Sequence, residues 1–454
     1  MLSLFWFVPF LFGLMVMHTN AHAAAPPASD DRLYHIAEAV SAGRIEADIR
    51  TLAGFGTRNT LSDTVSDVRG IGAARRWIKA EFEAIAKSCG DCLEIRMQGG
   101  VVKAGANPRI PVDTEIVNVI AVKRGSLYPD RYLIMSGDID SRASDVNDAE
   151  IDAPGANDNA TGMAGAMEAA RVLSAYDFPV SIAFVGLSGE EQGLFGGKFL
   201  AEHANAEGWD IVGVLNNDMI GNIEGIDGVI DNRRFRIFSE PTPVTETEEQ
   251  RKTRRYTGGE VDGVSRQLAR VVHRLTRQYM PEMNPMMIYR LDRFGRGGHH
   301  RPFNDAGYAA IRIMEAHENY NRQHQDIRHE NGVHYGDVIE GVDFAYAARL
   351  TAVNAITLAS LAWAPPAPRG VKIGGAVMPS TTLEWTSVDA PNLAGYKIYW
   401  RDTTAPQWQN SRFVGKVNRF TLKNIIIDNY FFGVAAVSTD GHESAVVFPS
   451  ERIR

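Results

Sequence analysis

The sequence predicts an α/β fold followed by an all-β sandwich at the C-terminal end, on three observations. Short apolar runs at Tyr132–Met135, Val180–Val185 and Ile211–Leu215 read as buried strands, and each leads into an acidic cluster. Between and before them lie segments with apolar residues at helical spacing, as at Ile71–Lys87 and Ala160–Ser174. After the Pro-rich stretch Ala364-Pro-Pro-Ala-Pro-Arg369 the texture changes to closely spaced short strands.

At 454 residues, with 44% apolar and 22% charged residues, the chain is long enough for two or three domains with ample cores. A formal charge of −8 argues against a nucleic-acid partner. Residues 1–23 read as a signal peptide: Leu2 to Met17 is almost unbroken apolar, and Ala21-His22-Ala23 fits a small-x-small cleavage site. The n-region lacks Lys and Arg, and a membrane anchor is the competing reading. Cleavage predicts an exported, periplasmic or extracellular protein with no stable membrane association. In that compartment Cys89 and Cys92, set in a turn after the helical run, are expected to form a small structural disulfide.

Taking the chain in order, Ser29–Met97 predicts helices that pack beside the sheet rather than chemistry. Glu115–Val122 alternates as a strand. The motifs then follow: Gly-Asp-Ile-Asp-Ser at 137–141, Pro-Gly-Ala-Asn-Asp-Asn-Ala-Thr-Gly at 154–162, Ser-Gly-Glu-Glu-Gln-Gly-Leu at 188–194 and Asn-Asn-Asp-Met-Ile-Gly at 216–221. Ligands of open α/β sheets bind beyond the carboxyl ends of the strands. That rule gathers Asp138, Asp140, Asp158, Glu190, Glu191 and Asp218 around one cleft, where so many carboxylates need compensation by two divalent cations. Asn159 or Thr161 can cap the helix after Asp158. Adjacent Glu190 and Glu191 point different ways from an extended strand end, so one can ligate a metal while the other serves as a general base.

The four motifs in this order resemble the co-catalytic dizinc aminopeptidases, whose members include secreted bacterial leucyl aminopeptidases, over roughly residues 45–362. The resemblance implies a zinc-exopeptidase-like fold, a mixed and mostly parallel sheet flanked by helices. It implies Asp158 as the bridging ligand, Glu190 as the general base, Glu191 as a ligand of one metal and Asp218 of the other. Asp140 would be the carboxylate that orients the site. The expected activity is removal of N-terminal residues from peptides by a water activated between two ions, zinc by resemblance. Carboxypeptidase, glutaminyl cyclase and a non-catalytic binding protein on the same fold are the alternatives.

Two places depart from the family pattern. Asp138 stands where the family usually has a metal-binding His; its oxygen can bind zinc but favours harder ions. The last ligand, a downstream His, is assigned to His324, with His317 and His329 as rivals. The loop His299-His300-Arg-Pro-Phe303 stands where the family commonly has Asp-His-x-x-Phe, which makes His300 a candidate substrate-binding residue and His299 a spare ligand.

The insertion between Asp231 and Gly259 is long enough to be a lid over the cleft. Val342–Trp363 predicts the helix that closes the catalytic domain, 24–363. Residues 364–369 read as a linker with few contacts across it. Residues 370–454, with Trp385, Tyr396 and Asp440-Gly-His-Glu-Ser444, resemble a fibronectin type III module that docks onto another surface or stabilises the protein.

Overall fold

The computed structural model describes residues 25–453, so the segment read as a signal peptide lies outside the described residues. Three helices come first: α1 (Asp31–Glu38), α2 (Ala42–Gly54) and α3 (Gly70–Ser88). Asp30 and Ser41 start the first two, each side chain accepting from a free amide of the first turn. Just after α3 the chain closes the Cys89–Cys92 disulfide expected of an exported protein.

The larger sheet contains β1 (Glu94–Val102), β2 (Thr114–Lys123), β3 (Tyr128–Asp138), β4 (Val180–Leu187), β5 (Asp210–Asn217), β6 (Arg234–Ser239), β7 (Asn284–Ile288) and β8 (Ala310–Glu315). They are ordered β1-β2-β4-β3-β5-β8-β6-β7. The pairings β3–β4, β3–β5, β5–β8 and β6–β7 are parallel and the others antiparallel, which is the mixed, mostly parallel sheet expected. The predicted runs Glu115–Val122, Tyr132–Met135, Val180–Val185 and Ile211–Leu215 fall inside β2, β3, β4 and β5.

Helices cover both faces. They are α4 (Ala160–Leu173), α5 (Phe195–Ala206), α6 (Glu248–Thr257), α7 (Val264–Tyr279) and α8 (His300–Asp305). Beyond the hairpin of β9 (Arg328–Glu330) and β10 (Val333–Tyr335) comes α9 (Phe344–Trp363). All of β4 is buried: Ile182 and Phe184 enter the core formed with α4 and α9, while Ala183, Val185 and Leu187 enter the core formed with α5. A strand buried on both faces reads as a continuous apolar run rather than an alternation. α9 has the length and apolarity of a membrane span, yet 83% of its most apolar window is buried, so it is the central core helix. Asn159 caps α4 by accepting from the Gly162 amide. Gly137 lets α4 press on β3: a Cβ there would stand 2.3 Å from the carbonyl carbon of Gly162.

The C-terminal region is β11 (Arg369–Gly374), β12 (Thr381–Thr386), β13 (Leu393–Asp402), β14 (Asn410–Gly415), β15 (Arg419–Leu422), β16 (Tyr430–Ser438) and β17 (Glu451–Arg452). They form a sheet β15-β12-β11-β17 and a sheet β14-β13-β16. Leu383 and Trp385 from one sheet and Ile398, Phe432 and Val434 from the other share one core.

The expectation of few contacts across the linker is corrected. Asp262 accepts from Arg270 of α7 at 2.7 Å and from Arg401 of β13 at 2.7 Å, all three side chains being 3% exposed or less. The Trp408 indole donates to Gln267 at 3.1 Å, and Asn392 donates to the Trp363 carbonyl at 2.8 Å. His442 reaches Asp30 at 2.9 Å, joining the β region to the start of α1. A Pro-rich stretch signals an extended backbone, not whether the surfaces on either side of it meet. The insertion before α7 is likewise not a lid: α6 leads into Gly258 and Gly259, which abut Phe431 and Phe448 of the β region.

One buried acid makes the stability pH-dependent. Burial first, then the charge of Glu81, pushes the half-buried Asp48 carboxyl of α2 up to about 7. A carboxyl whose folded value lies above its unfolded one contributes stability below the unfolded value and loses it as pH rises through the folded one. Asp48→Asn is therefore expected to melt higher than the wild type, by a margin that grows from pH 5 to pH 8. Thermal melts across that range check it; a margin that is flat or shrinks would place Asp48 in a different environment.

Candidate active site

β3, β4 and β5 stop side by side, and the loops that leave them build the site. After β4, Gly189 takes a left-handed turn at φ 73° and carries Glu190 and Glu191 back across the strand ends. Asp140, two residues past β3, fixes that turn. Its Oδ1 accepts from the Glu190 amide at 3.2 Å and its Oδ2 from the Glu191 amide at 3.0 Å. The Thr60 hydroxyl donates to the same Oδ2 at 3.0 Å. Burial first, then Glu191, raises the Asp140 carboxyl to about 6.

Asp158, Glu191 and His324 converge. His324 Nε2 lies 2.9 Å from Asp158 Oδ2 and 3.0 Å from Glu191 Oε1, and donor atoms of the three lie within 4.8 Å of one another. Burial alone would lower the His324 ring, but Glu191 and Asp158 outweigh it and push the ring up to about 10. Two carboxylates and one imidazole directed at one point form the donor set of a divalent-ion site with an open position, and they fit zinc. The proton that now binds the carboxylates to the ring is what an ion displaces. His324 also holds φ 55°, an uncommon backbone conformation for a side-chain-bearing residue, of the kind that clusters at functional sites. His324 is the His brought to the acids; His317 instead faces Arg234 and Asp231, and His329 stacks on His334 in the β9–β10 hairpin.

Glu190 stands beside this trio at the edge of an open cleft of about 680 Å³. Burial, then the charges of Glu191 and Asp218, raises its carboxyl well above its ordinary value. Such a shift suits a group that must take a proton near neutrality.

Asp138 and Asp218 sit differently. Asp138 Oδ2 accepts from Asn159 at 2.7 Å, and Oδ1 meets His299 Nδ1 at 2.6 Å. Burial raises the Asp138 carboxyl to about 8. Asp218 is raised to about 8 by burial, against the pull of Arg312. The Arg312 guanidinium donates to the Asp218 carbonyl at 3.1 Å and lies 2.9 Å from its Oδ1.

The sequence pattern of peptidase family M28 matches residues 118–340, the span that holds every group above except Thr60. A probable zinc metalloprotease of Leptosphaeria maculans is 42% identical over 424 residues, 93% of this chain and 98% of that protein. The chain belongs to peptidase family M28. Another relative, a probable zinc metalloprotease of Pyrenophora teres f. teres, is 41% identical over 442 residues, 94% of this chain and 91% of that protein. Among solved structures, the LapA aminopeptidase of Legionella pneumophila matches with a TM-score of 0.53 at 17% identity, over 75% of this chain and 77% of that one. LapB of the same organism gives 0.51 at 15% identity, over 75% and 78%. At these identities the structural likeness speaks for the fold.

In this M28 peptidase one predicted site residue is corrected. His300 does not reach the cleft: it is fully buried at the start of α8, with Nε2 donating to the Leu291 carbonyl at 2.8 Å. Its role is to fix the glycine-rich loop, whose Gly295, Arg296 and Gly297 do line the cleft. Sequence reasoning also passed over several groups. Asp337 accepts the Asn157 amide at 2.8 Å and the Asp158 amide at 2.6 Å, holding the Asp158 loop. Arg58, fully buried, donates to the Ile139 carbonyl at 2.8 Å and to Gly155 at 3.0 Å, tying two motif loops together. With Thr60 it corrects the expectation that the N-terminal segment only packs. Arg312 had a readable signal: a lone Arg inside the apolar run Ala309–Met314 must be paired when buried.

Proposed function

We propose that this M28 peptidase is an exported zinc aminopeptidase that removes residues from the N-termini of peptides. The observation that carries the reading is the convergence of Asp158, Glu191 and His324 beside Glu190 in one open cleft. Zinc is supported by that donor set and by relatives named as zinc metalloproteases. When bound, the metal supplies a Lewis acid that polarises the scissile carbonyl and acidifies water.

The chain's own groups do the rest. Glu190 takes a proton from the attacking water and delivers it to the leaving nitrogen as the carbon–oxygen bond forms and the carbon–nitrogen bond breaks. Asp140 keeps Glu190 and Glu191 in register through their amides. The Cys89–Cys92 disulfide supports an oxidising compartment. The C-terminal β region acts first on its own catalytic domain, through Asp262 and Arg401.

A specific observation favours carboxypeptidase as the second reading. Lys198, whose ammonium lies over the Phe195 ring, and Arg301 both line the cleft, and their positive charges would suit a free carboxylate. Amino-acid amides and anilides assayed beside N-acetylated peptides separate the two. The aminopeptidase reading expects cleavage that needs the free α-amine and disappears with a chelator. Cleavage of N-acetylated peptides from the carboxyl end would replace it with the second reading, and chelator-resistant activity would remove both.

A further inference from the structure

The resemblance of the motifs implies two metal ions, yet the donor atoms fit only one. Asp158, Glu191 and His324 converge, whereas among the described residues no such group forms from Asp138, Asp158 and Asp218. The reason lies in what already holds Asp138 and Asp218. Both oxygens of Asp138 are engaged, one by the Asn159 amide group at 2.7 Å and the other by the His299 ring at 2.6 Å. Asp138 is 2% exposed and His299 fully buried, so neither has solvent to turn into.

Asp218 already has a cation. Arg312 is fully buried on β8. Its Nη2 lies 2.9 Å from Asp218 Oδ1, while Nη1 reaches Asp292 Oδ2 at 3.1 Å and the Gly297 carbonyl at 2.9 Å. A guanidinium stays protonated at any working pH. Anchored from three sides, it cannot swing out, and a fixed positive charge on the carboxylate opposes a divalent ion beside it.

We propose that the site holds a single catalytic divalent ion, on Asp158, Glu191 and His324, and that Arg312 supplies the second positive charge beside Asp218. The proposal rests on the metallopeptidase reading above and deepens it. Asp138 is then a positioning residue: it holds Asn159, the cap of α4, and the buried His299 ring.

The test is metal counting on the full-length chain, purified, loaded with excess zinc or manganese and dialysed. Inductively coupled plasma mass spectrometry should find about one ion per chain in the wild type. Asp138→Asn, which keeps the shape of the side chain and one acceptor oxygen for Asn159, should keep that ion, and His324→Ala should lose it. The manganese-loaded protein should give the electron paramagnetic resonance spectrum of an isolated ion. Two ions per chain, or an exchange-coupled manganese spectrum, would overturn the proposal and leave the metallopeptidase reading standing; if His299→Ala then lost one of them, the second site would be on that ring. No bound ion in the wild type, or full retention in His324→Ala, would overturn the metallopeptidase reading and this proposal together.

Discussion

Glu190→Gln is expected to keep the fold and the metal content while turnover falls by about 10²–10⁴-fold, the usual contribution of a general base. The substitution is nearly isosteric. The contact that holds Glu190 is made by its backbone amide to Asp140, which the change does not touch. What disappears is a carboxylate whose proton affinity burial and its acidic neighbours have raised. Gln can accept a hydrogen bond from water but cannot carry its proton away. The measurement is kcat on an aminoacyl anilide, with metal content determined on the same sample. Turnover within tenfold of the wild type would remove Glu190 from the proton path.

Asp262→Ala is expected to destabilise the whole protein by roughly 3–5 kcal/mol, the cost of leaving buried charges without their partner. Arg270 and Arg401 are 3% and 1% exposed and both rely on this one carboxylate. Arg270 also donates to the Pro406 carbonyl at 2.9 Å, so it is fixed at the interface and cannot relax into water. A loss of that size lowers the melting temperature by on the order of 10 °C. Urea or thermal denaturation measures it. A loss below about 1 kcal/mol, the scale of a surface ion pair, would mean that water reaches this interface.

Much of the site was legible because its chemistry is local in sequence. Asp140, Glu190, Glu191 and Asp158 each follow a strand or turn that the apolar pattern marks, and the order of the motifs supplied their roles. Contacts between distant residues were not legible. Asp138 and His299 lie 161 positions apart, and in sequence His299 and His300 are interchangeable neighbours. Only the packing of α8 sends one ring to Asp138 and the other to the Leu291 carbonyl. The linker misled for a related reason, since its composition describes one stretch of backbone while Asp262 and Arg401 stand 139 residues apart. Fold class was the easiest reading because burial on both faces leaves a continuous apolar mark on each strand.

The burial of β4 also limits motion at the site. Its residues pair with β2 on one side and β3 on the other, and all of them are buried. Amides of Ile182–Val185 should exchange with deuterium only when the whole domain opens. Two residues past the strand the chain enters the turn of Gly189 and Glu190, at the edge of the open cleft. The Glu190 and Glu191 amides there are held by the buried Asp140 carboxylate and should also exchange slowly. Glu190 thus stands at the end of a fully buried strand, on a turn pinned from below, so the rigidity of the sheet carries through to the side chain that faces the cleft.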